Sequence, residues 1–171
     1  MARSKINEYF KTQIDELRLF ARETHVTPIF KLDTTSFNEE DMIDDVELKE
    51  HVIIGRIFPN ADIFKEGAFQ IQIKIPPYYP LNPPKVYFIT PIYHPSVGKD
   101  GEFYHELLLK TAQWTYKTSL LDVVKAIVER INETDLYYSI NYEVVEEYAK
   151  NRSEFNRKAL EMVKKHALPR N

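Results

Sequence analysis

The stretch "PPYYPLNPPKVYFITPIYHPSVGKDGEFYHELL", residues 76–108, is dense in proline and aromatic residues and decides which fold the chain can adopt. Each proline fixes its φ angle at about −65° and lowers the conformational entropy of the unfolded chain. A long connection can therefore stay rigid without helix or sheet hydrogen bonds. We expect such a connection at 76–84, between a strand that ends at 75 and another that begins at 85.

Strand patterns surround this connection. The segment 68–75 alternates apolar and polar side chains with a period of two, as a half-buried antiparallel strand does. Three further segments are rich in β-branched and aromatic residues: 27–32, 46–58 and 85–90. Four consecutive strands without an intervening helix predict a four-stranded antiparallel meander.

Helical periodicity appears on both sides of the predicted sheet. Apolar residues spaced three and four apart predict a helix over 4–23 with Ser4 as N-cap, and a second, buried helix capped by Ser119. Two more helical patterns, 142–150 and 153–166, complete the chain. The order αββββααα predicts an α+β fold in which helices flank one sheet.

Composition restricts the class of protein. With 171 residues, of which 43% are hydrophobic, we expect a single domain covering 1–171. The net charge of −3 gives no basic field for nucleic acid, and no apolar run approaches the roughly 18 residues of a membrane span. The first twenty residues mix charged and apolar side chains without a signal-peptide core, so we expect a cytoplasmic or nuclear protein.

The chain contains no cysteine. This excludes disulfides, thiolate metal sites and cysteine nucleophiles together. His94 and His105 are eleven residues apart without a third well-placed ligand, so we expect neither a metal site nor a cofactor.

Charge is distributed unevenly along the chain. Residues 33–50 carry eight acids and one lysine, whereas 150–171 carry seven Lys or Arg and two Glu. These segments are either a solvated loop and helix face or a pair of partner-binding patches. The acidic segment also holds three apolar residues without a periodic role in the core, which we consider candidate partner anchors: Phe37, Met42 and Ile43.

The segment "AFQIQIKIPPYYPLNPPKVYFITPIYHPSV" closely resembles the ubiquitin-conjugating enzyme domain, in which a strand, a Tyr-Pro-x-x-Pro-Pro-Lys-Val turn, a strand and a Tyr-His-Pro-Asn loop follow one another. The resemblance continues through Gly101, Trp114 and the C-terminal helices. It implies that 76–84 crosses the sheet face and that Tyr79–Pro80 is a candidate cis bond. Residues 33–50 look longer than the corresponding hairpin of the family.

The resemblance also shows which chemistry is missing. Active members carry ubiquitin as a thioester on the cysteine of a Gly-x-x-Cys pattern, because a thiolate is nucleophilic near neutral pH. Here that pattern places Tyr104 at the cysteine position, although the longer interval before Trp114 leaves His105 or Glu106 as alternatives. Ser96 replaces the family's loop asparagine, so the degenerate site comprises His94, Pro95, Ser96 and Tyr104, with His94 in the family's role of loop anchor.

We therefore expect a catalytically inactive member that binds proteins without covalent chemistry. It would assist an active conjugating enzyme or bind ubiquitin or a ubiquitin-like protein; alternatively, it would be a trafficking or complex-assembly adaptor without ubiquitin contact. The loops that meet ligases in the family read Leu81-Asn82 and Thr115-Tyr116-Lys117 here. Leu81, Tyr104 and Tyr116 are thus further candidates for partner binding.

Four tyrosines near the C-terminal helices could form a platform on which nucleic-acid bases stack. Because their side chains combine a large apolar ring with a polar tip, we expect them instead to pack between the last helices. They are Tyr137, Tyr138, Tyr142 and Tyr148.

Overall fold

The computed structural model of the chain describes residues 3–23, 29–38 and 49–171. Two of the candidate anchors, Met42 and Ile43, and most of the acidic segment lie outside the described residues.

The described residues form four α-helices around one four-stranded sheet. In chain order the elements are α1 (Arg3–Glu23), β1 (Phe30–Thr35), β2 (His51–Ile57), β3 (Phe69–Ile75), β4 (Lys85–Phe88), α2 (Leu120–Asn132), α3 (Tyr142–Lys150) and α4 (Arg152–His166). A 3-10 turn, Glu106–Leu108, lies between β4 and α2. The sheet order is β1-β2-β3-β4, and every neighbouring pair is antiparallel. The predicted α+β fold and meander are confirmed.

Strand β3 follows its sequence pattern. Its apolar residues are all buried, whereas the Gln and Lys residues between them are partly exposed. On α2, the apolar positions are buried in the same core cluster as those of β3. One apolar stripe from each element therefore builds the core that supports the loops described below.

The start of α2 is fixed by a capping box. Ser119 Oγ accepts a hydrogen bond from Asp122 N at 3.0 Å, and the Asp122 carboxylate accepts one from Ser119 N at 2.9 Å. This confirms Ser119 as the N-cap. The corresponding prediction for the first helix is wrong, because α1 begins at Arg3 and Ser4 is already inside it. A single charged residue before Ser4 does not prevent the helix from starting one residue earlier, at Arg3.

The proline-rich connection is held by aromatic packing. The Tyr79–Pro80 peptide bond is cis, as predicted. Tyr79 is buried with its ring centroid 6.0 Å from that of Trp114, whose Nε1 donates a hydrogen bond to Pro80 O at 3.0 Å. The connection is thereby joined to the loop that precedes α2.

Gly101 marks the tightest backbone approach beside the candidate site. Its φ angle is +89°, and a Cβ atom there would lie 2.5 Å from Phe88 O. Only glycine fits both the left-handed conformation and this contact. The turn at Gly101 directs the following residues back along β4, where Phe88 N donates to Gly101 O at 2.7 Å.

Candidate functional site

His94 lies fully buried at the start of the loop 94–97. Its Nδ1 accepts a hydrogen bond from Ser96 N at 3.0 Å. The neutral ring therefore carries its proton on Nε2, which lies 3.3 Å from Thr134 Oγ1. Burial, assisted by the nearby Arg130 charge, lowers the pKa of His94 to about 3. These contacts are those of a loop anchor, and the ring has no exposed edge for acid/base catalysis.

The rest of the loop is held from two directions. Ser96 O accepts a hydrogen bond from Tyr104 N at 2.9 Å, while Pro95 O accepts from the amides of Ile140 and Asn141 at 3.2 and 3.1 Å. The Ser96 side chain is buried, and its Oγ has no partner among the described residues. A hydroxyl enclosed in this way cannot reach the carbonyl of a substrate as an exposed amide side chain could.

Tyr104 lies beside this loop and is half-buried. Its ring centroid is 6.5 Å from that of Tyr138, which follows α2. Within the described part of the chain, no histidine or carboxylate is hydrogen-bonded to its hydroxyl, so no base is in place to activate a phenol. The structure thus brings His94, Pro95, Ser96 and Tyr104 together without assembling a nucleophile.

An ion pair occupies the position next to Tyr104. Arg130, buried in the last turns of α2, donates to Glu106 Oε2 at 2.7 Å and to Tyr138 O at 3.4 Å. Burial opposes ionisation of Glu106, but the hydrogen bonds from Arg130 and from its own backbone amide outweigh this effect and lower its pKa. Glu106 is therefore ionised, and its ion pair with Arg130 joins the 3-10 turn to α2.

His105 completes this arrangement. Its Nδ1 accepts a hydrogen bond from Leu107 N at 3.0 Å and so caps the 3-10 turn. Burial, followed by the Arg130 charge, lowers the pKa of His105, so the ring is neutral near pH 7. Sequence reasoning missed Arg130, because a charged residue near the end of an amphipathic helix is usually assigned to its solvent face. The available signal was its spacing, since Arg130 stands three residues after Ile127 and seven after Val123, on the buried face of α2.

A groove of about 720 Å³ opens on the outer side of this ion pair. Its walls are the 3-10 turn, α2 and the segment after α2. Carboxylates predominate in the lining: Glu106, Asp122, Glu129, Glu133 and Asp135, against Lys125 and Arg130. Since Arg130 is already paired, the groove carries a negative field at neutral pH.

The loops for which the resemblance predicts partner contacts, at 81–82 and 115–117, belong to segments that are hydrogen-bonded to each other. Trp114 bonds to Pro80 O, and Lys110 Nζ donates to Asn82 Oδ1 at 2.6 Å. Leu81 and Tyr116 project from these loops with 64% and 61% of their surface exposed. Both side chains are therefore accessible to another molecule.

Phe37 does not fit the role of an exposed anchor. It is buried, with its ring centroid 4.9 Å from that of Phe10 on α1 and 5.2 Å from that of His51 on β2. The expectation that Phe37 has no place in the core is wrong, because α1 supplies an aromatic partner that the local sequence does not reveal. Its ring is not free to anchor a partner.

The prediction for the four tyrosines is wrong for two of them. Tyr137 and Tyr142 are 83% and 78% exposed. Tyr138 and Tyr148 are half-buried, and the Tyr148 ring centroid lies 4.8 Å from that of Phe155 in α4. Tyr137, in the segment between α2 and α3, and Tyr142, at the start of α3, both face solvent.

The described residues lack two further classes of site. They contain no group of three or more His, Asp or Glu side chains arranged to hold a metal ion. None of the described helices is both long enough and apolar enough to cross a membrane.

Comparison with known proteins places these features in context. The family model described as "Ubiquitin-conjugating enzyme" matches residues 27–163. The chain is 37% identical over 115 residues to "Ubiquitin-conjugating enzyme E2 ubc-18" of Caenorhabditis elegans, which covers 67% of this chain and 74% of that protein. It is 33% identical over 116 residues to "Ubiquitin-conjugating enzyme E2-18 kDa" of Drosophila melanogaster, covering 68% and 75% of the two chains. It is also 27% identical over 121 residues to "NEDD8-conjugating enzyme ubc-12" of Caenorhabditis elegans, covering 68% and 67%.

Proposed function

This chain belongs to the ubiquitin-conjugating enzyme family, and we propose that it is a catalytically inactive member that acts by binding other proteins non-covalently. The observation that carries the proposal is the absence of cysteine from the whole sequence. A thioester requires a thiol, and no other side chain offers both the nucleophilicity and the leaving-group ability of a thiolate.

The remaining hydroxyl side chains near the site support this view. Ser96 is buried, Ser119 is committed to the capping box of α2, and Tyr104 lacks a hydrogen-bonded base within the described residues. An oxyester mechanism would need one of these hydroxyls to be exposed and activated. None combines the two properties.

We propose that the binding surface is centred on Leu81 and Tyr116. Both are exposed, and the hydrogen bonds from Trp114 and Lys110 fix the two loops that carry them. Preorganised apolar side chains lose little entropy on binding, so two of them can anchor a partner. The partner would be an active conjugating enzyme, ubiquitin or a ubiquitin-like protein. Tyr104, which is only half-buried, would extend this role on the side of the degenerate site.

An adaptor function without ubiquitin contact is the second candidate. Residues 115–117 read Thr-Tyr-Lys, and Lys117 Nζ lies 5.9 Å above the Tyr116 ring. The family that the sequence resembles usually has Ser-Pro-Ala after this tryptophan, so here Tyr116 and Lys117 replace a proline and an alanine. Such a surface would favour partners other than the usual ligases.

The catalytic half of the proposal is tested with activating enzyme, ATP and ubiquitin. We expect no adduct on the chain after electrophoresis without reducing agent. An ATP-dependent adduct removed by thiol would overturn the proposal, and an adduct removed by hydroxylamine but not by thiol would reveal an oxyester enzyme.

The binding half is tested by titrating the unlabelled chain into ¹⁵N-labelled ubiquitin, and separately into ¹⁵N-labelled NEDD8, with NMR detection. We expect shift changes that are lost with Leu81→Glu and with Tyr116→Glu. Ile89→Glu is the matched control, because Ile89 is also exposed but lies at the opposite end of β4 from Leu81. No shift change with either protein would contradict direct ubiquitin or NEDD8 binding, leaving an active conjugating enzyme or the adaptor role.

A further inference from the structure

The two segments that carry Leu81 and Tyr116 share an unusual charge composition. Residues 76–84 and 109–119 contain two lysines, Lys110 and Lys117, and no aspartate or glutamate. Both lysines are exposed, and neither forms an ion pair within the described part of the chain. The surface formed by these segments therefore carries a positive charge that no carboxylate of the same segments offsets.

Both lysines are placed beside the exposed apolar side chains. Lys110 Nζ donates to Oδ1 of Asn82, the residue after Leu81, and Lys117 Nζ lies 5.9 Å from the centroid of the Tyr116 ring. The charge of Lys110 is not neutralised, because an asparagine side chain carries no charge. Lys117 is attracted to the face of the Tyr116 ring, so apolar surface and positive charge meet at this residue pair.

The apolar part of the surface includes a third side chain. Tyr78 is 58% exposed, which is similar to the exposure of Leu81 and Tyr116. Tyr78 O accepts a hydrogen bond from Asn82 N at 3.1 Å, so Tyr78 and Leu81 belong to one turn. Two hydrogen-bonded loops thus combine three large exposed side chains with two cations.

We propose that the partner of this surface, whose role in binding is itself proposed above, contacts it with an acidic segment in which apolar residues are flanked by aspartate or glutamate. The apolar residues pack against Leu81 and Tyr116, while the carboxylates pair with Lys110 and Lys117. Charge complementarity of this kind speeds the encounter and disfavours partners that present a basic surface. Lys110 and Lys117 are thus the residues that determine specificity.

The acidic groove on the outer side of the Glu106–Arg130 ion pair has the opposite preference. Carboxylates predominate in its lining, so it repels an acidic segment. Asp122, the first carboxylate after Lys117 in the chain, belongs to this groove and accepts a hydrogen bond from Ser119 N. An acidic segment is therefore attracted to the surface at Lys110 and Lys117, whereas a basic segment is attracted to the groove.

The test is an NMR titration of the ¹⁵N-labelled full chain with a synthetic peptide, Glu-Asp-Leu-Phe-Asp-Glu, blocked at both ends. We expect shift changes centred on residues 78–82 and 115–117. The peptide in which Gln and Asn replace the acids should bind about fivefold more weakly, since exposed ion pairs each contribute modestly. Lys117→Glu should weaken binding of the acidic peptide by about fivefold, and Lys110→Gln by less, because it removes a charge without reversing it.

Lys164→Glu is the matched control, since Lys164 is exposed on α4 and the change in charge is identical to that of Lys117→Glu. Melting curves check folding, which matters for Lys110→Gln because that variant loses its bond to Asn82.

Four results would each overturn the proposal. They are no shift change at about 2 mM peptide, equal binding of the uncharged peptide, equal weakening by Lys164→Glu, and equal binding of Glu-Asp-Gly-Gly-Asp-Glu, which would indicate a site for any anion. The titrations of ubiquitin and NEDD8 described above are separate measurements. Acidic-peptide binding can therefore fail while binding through Leu81 and Tyr116 is retained, and the two failures are distinguishable.

Discussion

The loop 94–97 differs in solvent exposure from the two loops that carry Leu81 and Tyr116. The first is enclosed: His94 and Ser96 are buried, and backbone hydrogen bonds join it to Tyr104 and to residues 140–141. The two loops that carry Leu81 and Tyr116 are held together by a hydrogen bond from Trp114, but they expose these apolar side chains to solvent. The loop 94–97 is therefore part of the buried framework of the fold, whereas Leu81 and Tyr116 are accessible to another molecule.

The largest effect should come from the ion pair that supports the enclosed region. Arg130→Met leaves the Glu106 carboxylate without its partner in a mostly buried position. We expect the free energy of unfolding to fall by about 3 kcal/mol, measured by urea denaturation. Arg130→Met combined with Glu106→Gln should recover part of this loss. An unchanged midpoint in the single variant would show that the ion pair does not stabilise the site.

Loss of the buried imidazole should rank next. His94→Ala removes the acceptor for Ser96 N and leaves a cavity. We expect a loss of about 2 kcal/mol in the free energy of unfolding, with affinity for ubiquitin or another partner nearly unchanged. The opposite pattern, unchanged melting with lost binding, would make His94 part of the recognition surface and remove the contrast between the two regions.

His94 should also make the enclosed region sensitive to acid. Its folded-state pKa is lowered to about 3, so below the unfolded value of about 6.5 the unfolded chain binds a proton that the folded chain does not. Above about pH 6.5, His94 should therefore have no effect on how the free energy of unfolding depends on pH. Between about pH 6 and 3, this free energy should fall by up to about 1.4 kcal/mol per pH unit. In His94→Gln this slope should be smaller by that amount. Equal slopes, from urea denaturation at each pH, would contradict a neutral buried ring.

The smallest effect on stability should come from the exposed loops. Leu81→Glu and Tyr116→Glu replace side chains that are mostly in solvent, so each should change the free energy of unfolding by less than about 0.5 kcal/mol. Thermal melting measures this, and the NMR titration above measures binding. Strong destabilisation would mean that these loops, like 94–97, are structural.

Local patterns predicted most of the framework. The period-two alternation of 68–75, the apolar stripe of α2 and the Ser119 cap depend on residues a few positions apart, so the sequence displays them directly. The cis bond at Tyr79–Pro80 was predicted through the family resemblance. Boundaries were less accurate: β1 runs from Phe30 to Thr35 rather than over 27–32, since pairing with β2 decides its end.

Contacts between distant positions were not predictable in this way. Phe37 is buried because Phe10 comes from another element to meet it, and Arg130 is buried because Glu106 lies beside it across the gap between the 3-10 turn and α2. Tyr137 is exposed although its large apolar ring would suit a core. Periodicity reports only which face of an element is apolar, and not what lies opposite that face.

The family, the order of the elements and the absence of a thiol follow directly from the amino-acid sequence, because each depends on residue identity and short spacing. Which of the candidate side chains are exposed to a partner depends instead on tertiary packing. It enclosed Phe37 and Ser96 and left Leu81 and Tyr116 exposed. Burial depends on the sum of contacts from elements far apart in the chain, and that sum exists only once the sheet and the helices have packed.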